Sequence, residues 1–447
     1  MKSHSVHKAL RWAARLVLAL GVLVGLVVMA ALLSPWSRLP SAQEPIPSTP
    51  DSVLLTEKAR QAVITGDLPQ ARQHLKDALA RDPHHAPALL FQACLALEAG
   101  DSPEAERLLG RLQAVTPEGL ESRLLQRLMA HHTHTPTAGW RRNFLRAWTE
   151  LGRPDFTGSS LLPEISLEEL DVIPAEAWER ATSDSVRLAV VLFLSERSRE
   201  QARWLVGQLP ALEDAALVQA AAVTLIMEEL PPSLRAEAHL VVRRRLAQLV
   251  EASPGVILPR MLLLWAEAPE GGPFSQSELE ALEAMAALPR WSEISLSQTF
   301  RNARGILKEA GAAHPGVSAL WLARFSNITY EVMIFSRRVD ATRGHLLPGS
   351  RQRLGRILWD IGSRMRQNST VFVSNVGLQL MEEGAEDMGD EEKGQQAAQA
   401  LKEAFSTYDA ADAAALDRWP LPSLWEEVAE ARARDEWAHV REFAGPP

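Results

Sequence analysis

The sequence predicts an all-α protein: an N-terminal transmembrane helix, then helical hairpins that continue into an irregular α-solenoid. Three observations predict it. Residues 55–119 carry one pattern twice at a spacing of 34. Leu16–Leu33 is an unbroken apolar run of 18 residues. Beyond residue 152 the chain continues in helix-length stretches punctuated by proline.

The bulk numbers set the frame. A chain of 447 residues has room for two or three domains or one long solenoid. Hydrophobic residues are 46% and charged residues 23%, enough to bury a core. A net charge of -9 and a pI near 5.8 argue against nucleic acid as a partner, which would need a basic face. Arg far outnumbers Lys, which suits a GC-rich bacterial source. Cys94 is the one cysteine, so no internal disulfide can form.

The apolar run meets the roughly 17–25 residues that a spanning helix needs. Trp12 and Trp36 flank it, as interfacial aromatics do. Lys2, Lys8, Arg11 and Arg15 precede it with no acidic residue, which places residues 1–15 in the cytoplasm as a basic tail. Residues 16–36 are the anchor in the inner membrane, single-pass, and everything after faces the periplasm. A cleaved signal peptide is the competing reading, but its apolar region usually spans only about 7–15 residues. Gly21 and Gly25 form a GxxxG through which two membrane helices could dimerise, although glycine is common in such helices anyway. Residues 37–52, rich in Pro and Ser, form an extended linker.

In the repeated stretch, Ala59 recurs as Ala93, Ala62 as Ala96, Gly66-Asp67 as Gly100-Asp101, Pro69 as Pro103, Ala71 as Ala105, Leu75 as Leu109 and Pro83 as Pro117. Each copy predicts two antiparallel helices, over 53–65 and 69–81, then 87–99 and 103–114. Gly66-Asp67 and Gly100-Asp101 make the turns. Pro69 and Pro103 open helices where a missing N–H costs nothing, and Pro83 and Pro117 close them. The recurring alanines, with Ala78, let helices approach closely. Leu112 stands where Ala78 stands one repeat earlier, which predicts looser packing there.

This stretch resembles two tandem tetratricopeptide repeats, whose period is 34 residues. The resemblance implies a concave groove lined by the first helix of each repeat, which takes peptides. The matching positions are Thr56, Arg60 and Val63, then Leu90, Cys94 and Leu97. The Lys and Asn that clamp a carboxylate in chaperone-tail-binding members are absent, so the groove is mostly apolar with one Arg. Ordinary helix packing is the simpler role for each of these residues. Roughly three repeats are needed for a stable array, and residues 121–130 with 140–151 form a degenerate third pair, giving a domain over 53–151. His131, His132 and His134 fall in the loop of that pair, where a polar loop outweighs a metal site.

From 152 to 447 the expectation is a helical, solenoid-like domain. Helices are expected over 184–209, 212–230 and 233–252, with a core segment at 188–194. Arg243-Arg244-Arg245 is taken as a solvated face. Residues 321–339 are the least helical region, a hairpin or a helix–helix junction. Val371–Val373 are β-favouring types. The acidic stretch 382–393 is expected to be a solvated loop. Capping boxes at Ser166-x-x-Glu169, Ser275-x-x-Glu278 and Ser423-x-x-Glu426 open helices, and the last helix either caps the array or offers an exposed stripe.

No G-x-S-x-G, P-loop, H-E-x-x-H or dinucleotide-binding glycine pattern occurs. No cofactor or metal is expected. The sequence therefore predicts a protein-binding scaffold or adaptor in the cell envelope. The alternative is an enzyme or ligand-binding domain over 153–447 with the repeats as its docking or dimerisation surface.

Overall fold

The structure is a computed structural model that describes residues 50–165, 176–193, 197–267, 272–325, 330–368 and 370–445. The membrane anchor at 16–36, with Gly21 and Gly25, lies outside the described residues, as does the capping box at Ser166. Among the described residues, no helix is long and apolar enough to cross a membrane.

The described chain is all-α in a helical-repeat arrangement. Helices α1 (Pro50–Ile64), α2 (Leu68–Arg81), α3 (Ala86–Glu98) and α4 (Ser102–Val115) form the two repeats. The repeated Gly-Asp pair explains the turns. Gly66 and Gly100 take φ of 80° and 75°, which glycine adopts without cost. In the first turn the Asp67 N–H donates to Ala62 O at 2.7 Å and Gly66 N–H to Val63 O at 3.0 Å. In the second, Asp101 N–H donates to Ala96 O and Gly100 N–H to Leu97 O. These are Schellman closures. The same aspartates then cap the following helices, accepting from Gln70 N–H at 3.0 Å and Glu104 N–H at 3.2 Å. One dipeptide ends one helix and starts the next. Ala59, Ala71, Ala78, Ala93 and Ala105 are fully buried. So is Leu112, which stands where Ala78 stands one repeat earlier.

The third pair is α5 (Leu120–His134) and α6 (Trp140–Glu150). The first of these runs further than expected, so the three histidines end a helix instead of occupying a loop. His131 pairs with Glu150 at 3.0 Å, and His132 stacks on Trp140 with centroids 4.2 Å apart.

Next come α7 (Ala177–Arg180), α8 (Asp184–Phe193), α9 (Arg199–Gln208), α10 (Ala215–Met227), α11 (Pro232–Ala252), α12 (Leu258–Glu267), α13 (Gln276–Ala286), α14 (Leu296–Glu309) and α15 (Pro315–Phe325). Residues 184–209 are thus two helices; a full capping box at Ser198 and Gln201 opens the second. The box at Ser275 and Glu278 is present as expected. Arg243 and Arg244 are exposed.

The chain ends with α16 (Tyr330–Arg343), α17 (Pro348–Arg366), α18 (Val371–Met388), α19 (Glu391–Asp412), α20 (Pro422–Arg434) and α21 (Glu436–Ala444). Two expectations fail here, and one open choice narrows. Residues 315–325 and 330–343 are helical, so of the two alternatives for 321–339 the described residues fit the helix–helix junction. Val371–Val373 open a helix despite their β-favouring types, because tertiary packing overrides a weak local preference. The acidic stretch 382–393 is also helical down to Met388. Its Asp387 is buried and held by Arg343 and Arg351, each at 2.7 Å. Paired with two guanidiniums, this carboxylate needs no solvent.

Helices α17 and α18 pack backbone to backbone. Gly355 faces Gly384 and Gly362 faces Gly377, so backbone meets backbone. A Cβ on Gly377 would lie 2.6 Å from the Gly362 carbonyl oxygen, and one on Gly355 would lie 2.6 Å from that of Gly384.

The C-terminal helices are not a loose cap. Helix α20 packs against α14, α15 and α6, and α21 against α19. Trp148, Trp419 and Trp425 are the largest fully buried side chains, and all three lie where the repeat segment meets the C-terminus. The Trp419 ring meets Phe144 and Phe156 edge-on at 5.6 and 5.4 Å. One buried cluster runs from Ala59 to Phe443, across the boundary expected at 152.

Candidate functional site

The six groove positions lie on the first helices of the two repeats, as the pattern implies. Val63, Leu90, Cys94 and Leu97 are buried to 2% exposure or less. Thr56 is half-buried and its hydroxyl donates back to Ser52 O at 2.8 Å. Arg60 turns onto Glu57 and donates to Glu164 O at 3.0 Å. Burial pushes the Cys94 thiol far above its ordinary pKa, so it stays a neutral, small apolar group. These side chains do not line an open groove. The chain itself covers them, with three separate pieces.

The first cover is residues 153–165, a strap with no helix or strand. A buried backbone outside regular structure must find other hydrogen-bond partners. Here Arg418 supplies most of them. Its guanidinium donates to the carbonyls of Phe156 at 3.3 Å, Thr157 at 2.5 Å, Ser159 at 2.7 Å, Leu162 at 2.9 Å and Pro163 at 3.2 Å. Ser159 Oγ donates to Glu121 on α5 at 2.5 Å. Trp148 Nε1 donates to Pro154 O at 2.8 Å. Phe156, Leu162 and Ile165 are buried to 3% exposure or less.

The second cover is the turn 311–315. His314 is buried and shares a hydrogen bond of 3.0 Å with Val63 O, the backbone of a groove residue. Burial lowers its pKa, so the imidazole is neutral here. A Cβ on Gly66 would touch Ala313 at 3.3 Å.

The third cover is the start of α20. Glu98, four residues past Cys94, accepts from Ser423 N–H at 3.1 Å and Ser423 Oγ at 2.5 Å. Ser423 therefore does not form the expected capping box. It lies inside the first turn, and a carboxylate from the repeats caps the helix instead. Burial raises the Glu98 pKa, and the Ser423 hydrogen bonds pull the other way.

A cleft of about 640 Å³ remains where these pieces meet, lined by Leu68, His132, Trp140, His314, Pro422 and Glu427 among others. The N-termini of α2, α6, α15 and α20 all reach it. Each helix start carries partial positive charge on unsatisfied N–H groups, and a carboxylate answers it at each. Asp67 caps α2. Glu427 accepts from Trp140 and Arg141 N–H, both at 2.9 Å. Glu426 accepts from Gly316 N–H at 2.8 Å. Glu98 caps α20. The cleft is a structural node with its anion sites already filled. Among the described residues, no group of three His, Cys, Asp or Glu could hold a metal.

Sequence reasoning placed Arg60 and the small-residue crossings on the right helices. It missed Glu98, Glu121, His314, Arg418 and Glu427, which act on partners up to 325 residues away. Pro154, Gly158 and Pro163 were the available signal that 153–165 is not helical.

Residues 62–131 match the model of a family described as Tetratricopeptide repeat. That match begins in α1 and ends in α5, so it takes in both repeats and the first helix of the third pair. No curated protein matches the chain. The stretch with the 34-residue spacing is thus a tetratricopeptide-repeat segment, and no family is recognised in the helices beyond it.

Proposed function

We propose that the chain is a membrane-anchored helical-repeat scaffold that docks another protein on the periplasmic side of a bacterial inner membrane. The observation that carries the docking role is the tetratricopeptide-repeat segment within a larger helical array, since such repeats generally mediate protein–protein interaction. The apolar run Leu16–Leu33, with basic residues before it and none of either sign inside it, supports the anchor and its orientation. Residues 50–52, the end of the stretch expected as linker, are already helical in α1. Gly21 and Gly25 give the anchor a face for a second copy. This reading gives the chain no catalytic role.

Two measurements test it. Topology reporters fused after Pro50 are expected to be active only outside the cytoplasm; cytoplasmic activity overturns the orientation. Crosslinking in intact cells is expected to capture a defined envelope protein. Recovery of no protein partner overturns the docking role.

A further inference from the structure

The repeat face is occupied, and its occupant is held as a bound peptide is held. The strap crosses from the third helical pair to the first: Ser159 reaches Glu121 on α5 and the Glu164 carbonyl reaches Arg60 on α1. Its hold is of two kinds. Backbone carbonyls are collected by two guanidiniums, Arg60 of the repeats and Arg418 of the loop after α19, and three apolar side chains, Phe156, Leu162 and Ile165, are buried, Phe156 against Trp419 of that loop. Carbonyl acceptors give affinity without regard to sequence, and spaced pockets give specificity.

The seat is not built for permanence. Arg153 at its entrance and Ala415 in the loop that supports it are the two non-glycine residues with positive φ among the described residues, 57° and 46°. Each such conformation is strained for a residue with a side chain and persists at clamps and switches. Like charges also meet there. Asp155 of the strap faces Asp412 at the end of α19, with Asp409 and Asp417 close by and Arg432 and Arg418 as the opposing cations. Burial, and then Asp412, pushes the Asp417 carboxyl up to about 6, as expected where acids are crowded together out of water.

We propose that residues 153–165 are a displaceable intramolecular occupant of the repeat face, and that the docked partner is an extended peptide segment with the same pattern. That pattern is a large apolar residue, then two aliphatic residues six and nine positions later, with free carbonyls between. The proposal rests on the docking role given above and specifies what docks and what must move. The partner segment exchanges with the strap instead of entering an empty groove.

The probe is a fluorescent synthetic peptide spanning Arg153–Ser166, titrated into the full chain. Wild type is expected to bind it weakly, because the strap competes at high local concentration. The variant L162A/I165A, which loosens only the strap, is expected to bind it at least tenfold tighter. A scrambled peptide should bind neither. Equal affinity for wild type and variant, or no saturable binding to the variant, overturns the proposal. Hydrogen exchange on wild type needs no variant to fold. Strap amides are expected to exchange faster than those of α1 and α5, and faster still with the peptide added. Strap amides as slow as those helices and insensitive to peptide overturn it. Capture of a partner in cells alongside a failed peptide arm leaves the docking role standing and removes this mechanism. A working peptide arm with no captured partner does the reverse.

Discussion

In the repeat hairpins, helices meet across alanines such as Ala59, Ala71 and Ala93. In α17–α18 they meet across Gly355, Gly362, Gly377 and Gly384. Both hairpins use small residues to bring backbones together. The repeats stop at methyl contact, while α17–α18 goes to backbone contact and leaves no room for a methyl group. The two also differ in how they treat a buried acid. Glu98 in the repeats is held by Ser423 with Arg72 acting on it from beyond hydrogen-bond contact, and Asp387 in the glycine hairpin is held directly by two guanidiniums. The repeat surface is therefore tolerant and its acid expendable. The glycine hairpin is intolerant and its acid is required.

The largest expected effect tests the intolerance. Gly362→Ala or Gly377→Ala puts a Cβ against backbone that cannot move away, and should cost about 4 kcal/mol or abolish folding. Ala93→Gly in the repeats adds backbone freedom but no clash, and should cost about 1 kcal/mol. Urea denaturation of the purified variants measures both. Equal costs would erase the distinction between the hairpins.

Asp387→Asn comes next. It leaves Arg343 and Arg351 without their shared counter-charge; Arg343 keeps Glu383 at 3.1 Å and Asp340 at 2.8 Å, while Arg351 loses the carboxylate it holds at 2.7 Å. Breaking a buried ion pair from one side costs about 3 kcal/mol, read as a lower midpoint in urea.

Glu98→Gln should behave oppositely. Because burial raises the carboxyl's pKa, the folded protein keeps the proton to higher pH than the unfolded chain does. Stability linked to Glu98 is therefore present at low pH and is lost as pH rises through the raised value. Glutamine keeps an acceptor for Ser423 and carries no charge. The variant should match wild type near pH 4 and equal or exceed it by up to about 1 kcal/mol at pH 8. A loss at pH 8 comparable to that of Asp387→Asn would show that Glu98 acts as a charge.

How much of this was legible follows from where the partners sit in the chain. The repeats were legible because local rules write them twice: a Gly-Asp turn, a proline at a helix start, alanines at crossings. The glycine hairpin uses rules just as strict, but its two halves are written once each and face each other antiparallel. Gly355 and Gly362 are seven apart, as are Gly377 and Gly384; that spacing was the available signal. Val371–Val373 and the acids after Glu382 masked it, because β-type and charged residues suggested strand and loop until Arg343 and Arg351 were placed opposite Asp387. The closed repeat face was not legible at all. Thr56, Arg60, Val63, Leu90, Cys94 and Leu97 sit where an open groove would have them, and nothing within the repeats says that Arg418 and His314 bring the rest of the chain onto that face.

The smallest expected effect isolates that hidden part. Gly66 and Gly100 hold the same place in the same motif, with φ of 80° and 75°. Local sequence therefore assigns Gly66→Ala and Gly100→Ala one cost, about 1 kcal/mol for an alanine in the left-handed region. Their surroundings differ. A Cβ on Gly100 meets nothing within 4 Å, whereas one on Gly66 meets Ala313 Cβ at 3.3 Å. Relieving that contact moves the turn that carries His314, and so disturbs its hydrogen bond to Val63 O. Gly66→Ala should thus cost more than Gly100→Ala by about 0.5–1 kcal/mol, the value of one net hydrogen bond. The same substitution should also speed alkylation of Cys94, the single thiol, relative to Gly100→Ala. Identical costs and identical thiol rates would mean that the turn 311–315 rests on the repeats without holding them closed.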